Sequence, residues 1–189
     1  MMKMNMSWLT TLFRPNRGNK RSGVVGAVVG GSMATVIAIS LPMVQQHEGL
    51  RTDAYLDPVG IPTICFGETL GVKMGDSATP EECQEMLIPR MEGFLREMRA
   101  CTQWPENISG GQMPAKTEAA FLSFTYNLGS SVYCRNIAGK RINRGNVLEA
   151  CEALSLYNRA GNRIFRGLVI RRAEERELCV EGLLEAGAI

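Results

Sequence analysis

The sequence predicts an α+β chain in which a small β-hairpin lobe precedes a larger helical lobe, with a hydrophobic helix ahead of both. Three features of its 189 residues carry that prediction. Around Asp57-Pro58-Val59-Gly60, Tyr55 and Asp57 on one side and Ile61, Thr63 and Cys65 on the other alternate as hairpin strands do. Downstream, helix-start and helix-face patterns run to the C-terminus. Upstream, residues 22–46 carry no charge at all.

The leading segment is read first. Lys3, Arg14, Arg17, Lys20 and Arg21 make residues 1–21 strongly basic, with no acid among them. Five of the 21 basic residues therefore lie in the head, leaving 16 against 19 acids beyond it. The formal charge of +2 is the sum of a +5 head and a −3 remainder, so the basic balance gives no reason to expect nucleic-acid binding. A basic head before a long uncharged run reads as a membrane-directed segment, with the head cytoplasmic and the rest exported. Of residues 22–44, 11 are Gly, Ala, Ser or Thr and another 11 are Val, Ile, Leu or Met, so insertion is only marginally favoured.

Three fates for this segment compete. As a stable anchor, it would use Ser22, Gly26, Gly30, Ala34 and Ala38 as a helix-packing row. As a signal peptide, it would be cleaved near Ala38-Ile39-Ser40, a small-x-small site. The third reading is an anchor that later leaves the membrane uncleaved, and it is the one favoured here. The expected organisation is a basic segment 1–21, a releasable signal-anchor 22–45 and an exported folded domain 46–189.

Cys65, Cys83, Cys101, Cys134, Cys151 and Cys179 all follow the anchor, on the exported side where disulfides form. Buried free thiols are the bland alternative and suit that topology poorly. About 15 pairings are formally possible. Loop closure favours the sequential set 65–83, 101–134 and 151–179. No CxxC pair occurs, and His47 is the single histidine. A zinc site built on several histidines is excluded, and a Ser-His or Cys-His hydrolase would have to run through His47 alone. No metal or cofactor is expected.

Gly49 reads as a helix stop, which puts Glu48 in the last turn of a helix. The negative end of the helix dipole disfavours a further negative charge there, which suits a general acid. Asp57-Pro58-Val59-Gly60 fits a type I turn, with Asp first, Pro second and Gly fourth. Taken singly, Asp57 is a turn former, Thr63 a strand filler and Glu48 a surface acid. Further on, Thr79-Pro80-Glu81-Glu82 offers an N-cap, Pro at the first helical position and Glu at the third, for a helix reaching about Thr102 with Pro89 inside it. Arg171 and Glu175 have the spacing of an ion pair on one helix face.

Taken together, residues 48–67 resemble the phage T4-type lysozyme family, glycoside hydrolase family 24. That signature reads Glu-Gly-x-Arg-x-x-x-Tyr-x-Asp-x-x-Gly-x-x-Thr-x-Gly-x-Gly, and Glu48, Gly49, Arg51, Tyr55, Asp57, Gly60, Thr63 and Gly67 fall at its spacing. Cys65 departs from it where Gly is usual, and Glu68 where His or another polar residue is common. The resemblance implies a lysozyme-like fold and catalytic roles for Glu48, Asp57 and Thr63. More loosely, the run from Phe124 to Gly129 resembles the family helix end beside the sugar cleft, which makes Asn127 a candidate substrate-binding residue. Gly167 to Arg172, with Glu175 and Cys179, resembles its C-terminal helix.

The implied reaction is inverting hydrolysis of the β-1,4 bond between N-acetylmuramic acid and N-acetylglucosamine in peptidoglycan. Only Gln45, Gln46 and His47 separate Val44 from Glu48, so an anchored form would hold Glu48 at the membrane surface. This resembles the signal-anchor-release endolysins, inactive while tethered and active once released. The expected partners are peptidoglycan, the host inner membrane and Sec-type export machinery, with a released monomer in the periplasm. The alternatives are a lytic transglycosylase, which needs only Glu48 and leaves an anhydro product, and a membrane-anchored peptidoglycan-binding protein without catalysis.

Overall fold

The computed structural model describes residues 31–57 and 59–189, and the basic head, residues 22–30 and Pro58 lie outside the described residues. The second half of the uncharged run is helical. Helix α1, Met33–Glu48, starts at Ser32, whose hydroxyl accepts the Thr35 N–H, and stops at Gly49. Gly49 has φ +72°, a conformation costly for any residue with a Cβ, and its N–H closes on the Gln45 carbonyl. The helix runs unbroken across position 45/46. Its buried face is Val36, Ile37, Ser40 and Val44, whereas Ala34 and Ala38 of the small-residue row are exposed.

Strands β1, Arg51–Leu56, and β2, Pro62–Cys65, form the expected antiparallel hairpin, with Tyr55 opposite Thr63 and Leu56 opposite Pro62. The turn closes by the Gly60 N–H donating to the Asp57 carbonyl at 3.0 Å. Helix α2, Pro80–Cys101, carries the full reciprocal cap: Glu82 N–H donates to Thr79 Oγ1, and Thr79 N–H donates to Glu82 Oε2.

Helix α3, Ala115–Leu128, is buried continuously from Thr117 to Thr125 and forms the centre of the helical lobe. Helices α1 and α6, Arg166–Glu185, pack mainly on α3, and α2 covers another side. A helix with neighbours all round needs an all-round apolar surface, and Ala119, Ala120, Phe121, Leu122 and Phe124 supply it. Between α3 and α6 lie a short turn α4, Ser130–Val132, a π-helical stretch Tyr133–Ala138, helix α5, Val147–Ala153, and a minimal hairpin of β3, Arg159–Ala160, and β4, Arg163–Ile164.

Three disulfides join these parts in sequential order. Cys65–Cys83 ties β2 to α2, Cys101–Cys134 ties the end of α2 to the π-helical stretch, and Cys151–Cys179 ties α5 to α6. Cys65 lies at φ +59°, in the left-handed region that glycine adopts freely. That explains the usual Gly at this position: here about 1–2 kcal/mol of backbone cost is offset by a cross-link worth about 3 kcal/mol.

Candidate active site

The candidate residues lie at the C-terminal end of α1 and on the hairpin that follows it, with Arg171 of α6 in contact with the first of them. Glu48 is the last residue of α1, and its side chain is 22% exposed. Arg171 Nη1 donates to its Oε1 at 2.6 Å. Its other oxygen has no hydrogen-bond partner among the described residues. Arg171 is itself buried, and its three nitrogens serve three elements: Nη1 reaches Glu48 on α1, Nη2 the Ser123 carbonyl on α3 at 3.0 Å, and Nε Glu175 on α6 at 3.1 Å. A planar guanidinium can make those bonds at once.

Beneath Arg171 lies a buried charge cluster. Glu175 is fully buried between Arg171 and Arg172, and Ser123 Oγ donates to it at 2.7 Å. Burial pushes the Glu175 carboxyl up, while the two guanidiniums and the hydroxyl oppose that shift. Burial likewise brings Arg172 down to about 10, still cationic at neutral pH. Arg172 Nη2 donates to Asn127 Oδ1 at 3.1 Å, and its guanidinium lies 4.9 Å from the Phe124 ring centroid. The amide oxygen of Asn127 is thus engaged inside the helical lobe.

On the hairpin, Asp57 Oδ1 accepts the Val59 and Ile61 N–H groups at 2.9 and 2.8 Å. Both bonds fall on one oxygen, and Oδ2 has no partner among the described residues. Thr63 is buried, and its hydroxyl donates to the Ile61 carbonyl at 2.9 Å. With that proton committed, the Thr63 oxygen is left as an acceptor. Tyr126 donates to the Phe66 carbonyl at 2.8 Å, which ties the end of α3 to the hairpin lobe. Burial pushes its phenol up to about 12, and the negative charge of Glu48 adds to the shift. Glu68, at the second departure from the signature, accepts the Thr69 and Leu70 N–H groups and Arg90 Nη1.

Sequence reasoning found the Arg171–Glu175 pair but not Arg171 with Glu48, which are 123 residues apart. It also missed Ser123 and the pair His47–Glu174. No local signal marks such contacts. Among the described residues no cluster of His, Cys, Asp and Glu is suited to a metal. A cavity of about 360 Å³ lies elsewhere, between Gly31, Arg99, Trp104 and Met113, and shares no residue with the site.

A small hairpin lobe and a larger helical lobe, with an acid at the end of α1 and a turn aspartate and a strand threonine on the hairpin, define a lysozyme-like protein. The family model for phage lysozymes matches residues 45–175, and the chain belongs to that family. It is 37% identical over 160 residues to the SAR-endolysin of Pseudomonas phage phiKMV, covering 82% of this chain and 90% of that protein. Among solved structures, the endolysin of Escherichia coli O157:H7 phage FAHEc1 superposes with a TM-score of 0.64 at 28% identity, covering 76% of this chain and 91% of that one. The active form of the P1 phage endolysin Lyz superposes with a TM-score of 0.59 at 25% identity, covering 81% and 96%.

Proposed function

We propose that the chain is a phage endolysin: a muramidase that cleaves the β-1,4 MurNAc–GlcNAc bond of peptidoglycan to lyse the host, silent while tethered to the membrane and active after release. The observation that carries the regulation is that one helix holds both parts. Residues 33–45 of the uncharged run and Glu48 all belong to α1, and Val36, Ile37 and Val44 are buried in the folded lobe. The same residues cannot face lipid and pack on α3 at once. Membrane insertion and assembly of the site therefore exclude each other, a two-state device. Among the described residues, no helix is long and apolar enough to cross a membrane.

In this reading residues 1–21 stay in the cytoplasm, residues 22–45 form the releasable anchor, and the rest reaches the periplasm through Sec-type export. The released enzyme is a soluble monomer. The closeness of the P1 active form and of the phiKMV SAR-endolysin supports the assignment.

Glu48 protonates the leaving glycosidic oxygen as the C1–O bond breaks. Asp57 takes a proton from the attacking water, whose second hydrogen donates to the Thr63 oxygen. Water attacks the face opposite the leaving group, so the anomeric configuration inverts. Asn127 borders the sugar cleft with its amide nitrogen, since Arg172 holds its oxygen. Replacing Glu48 with Gln removes the acid and keeps the shape. Released enzyme carrying that change should produce reducing ends from purified peptidoglycan about 10²–10⁴-fold more slowly. NMR of the first product should show the inverted anomer. An anhydro product would instead identify a transglycosylase, and unchanged turnover in the Gln variant would remove Glu48 from the mechanism.

A further inference from the structure

The last two residues of α1 meet α6 with opposite chemistry. Glu48 brings an acceptor to a donor, Arg171 Nη1, at 2.6 Å. His47 brings a donor to an acceptor, Glu174 Oε2, also at 2.6 Å. In the tautomer that carries its proton on Nε2, the imidazole donates and the carboxylate accepts. His47 is nearly buried, at 11% exposure of its side chain, and Glu174 lies three residues beyond Arg171 on the same helix.

Elsewhere α1 and α6 pack chiefly against α3 rather than against each other. Val44 fixes α1 one turn earlier, and the rotation of the final turn is then set by the two polar pairs. Successive helix residues point about 100° apart. If the end of α1 turned by one residue, Glu48 would leave its Arg171 donor and His47 would leave Glu174, so both contacts would be lost at once. The geometry points to His47–Glu174 as a positioning pair, which fixes the rotational register in which α1 presents Glu48 to Arg171. This inference rests on the reading of Glu48 as the general acid.

The pair works by exclusion more than by attraction. Apolar contacts are non-directional and tolerate several rotations, whereas crossed donor–acceptor pairs penalise the neighbouring one. The need is greatest when α1 leaves the membrane and docks on α3, because Glu48 must arrive in one orientation after a large rearrangement.

The test uses full-length, oxidised, released protein and a double-mutant cycle. His47→Leu and Glu174→Leu should each lower kcat on purified peptidoglycan about tenfold with KM within about twofold, as misorientation of an acid requires. The double variant should lose no more than either single one. His47→Gln, which keeps a side-chain donor, should retain kcat within about threefold of wild type. A readout independent of turnover is the exchange of the Arg171 guanidinium protons by NMR: protected in wild type and in His47→Gln, fast in His47→Leu. Additive losses in the double variant, a change confined to KM, or unaltered kcat and Arg171 exchange in both single variants would each overturn the proposal. A wild-type protein that releases no sugar ends would overturn the muramidase reading instead, and the Arg171 protons would still report on the register.

Discussion

Replacing Arg171 with Lys keeps the charge and removes the fork, so it isolates what the guanidinium does. Arg171 is 3% exposed and bonds Glu48, Ser123 and Glu175 from three different nitrogens. A lysine ends in one nitrogen at shorter reach, and its point charge cannot serve three elements together. At least two hydrogen bonds to or from a charged group are lost, at about 1.5–3 kcal/mol each. The charge that Lys retains returns part of this, so the expected loss of stability is about 3–4 kcal/mol. Against a typical total of about 5–15 kcal/mol, the variant should still fold. Urea unfolding followed by circular dichroism, with the disulfides intact, measures the loss. Reducing-end release should fall about tenfold or more, because Glu48 is no longer held. A variant within about 1 kcal/mol and twofold in rate of wild type would show that Arg171 supplies only positive charge, and the account of the site given above would be wrong.

Three further outcomes follow from the same structure. A Cβ at Gly182 would lie 2.5 Å from Thr117 Oγ1 and 2.6 Å from Thr117 N, where the hydroxyl donates to the Cys179 carbonyl. Gly182→Ala should gain about 1 kcal/mol in helix propensity and lose about 1–3 kcal/mol to overpacking, a net destabilisation that a higher urea midpoint would refute. Burial raises Tyr126 to about 12 and also pushes Tyr133 up. Unfolded phenols near 10 release protons first, so stability present below pH 10 is lost as pH rises toward 12. Tyr126 alone accounts for roughly 3 kcal/mol of that stability. Burial raises Tyr157 as well, so absorbance at 295 nm should show Tyr126, Tyr133 and Tyr157 ionising late, whereas ionisation of all four at pH 10 in folded protein would contradict the burial. Replacing Gly26 and Gly30 with Leu makes the anchor more apolar and should hold the protein in the membrane and delay lysis; normal timing would argue against release as the activating step.

Local chemistry determined a good deal of this protein. Thr79-Pro80-Glu81-Glu82 is a capping box because its donors and acceptors lie within three residues of one another, and the helix begins there. Asp57 and Gly60 close the hairpin turn by the same short-range logic, and Gly49 ends α1 because only a residue without Cβ adopts φ +72° easily. The three cysteine pairs, separated by 18, 33 and 28 residues, follow the order that loop closure favours. The lone histidine was legible in composition alone, and the charge split in the order of the residues.

What composition and spacing could not decide is where the uncharged run ends and the folded lobe begins. Residues 22–45 read as a membrane segment because hydropathy does not record what a residue packs against. Tertiary structure puts its second half on α3 and leaves Ala34 and Ala38 outside. Nor could it assign the partners of Glu48 and His47, which come from α6, more than 120 residues away. Contacts at that range depend on how helices are turned about their axes, and a linear pattern of residues specifies which face is apolar without specifying which two polar groups will meet.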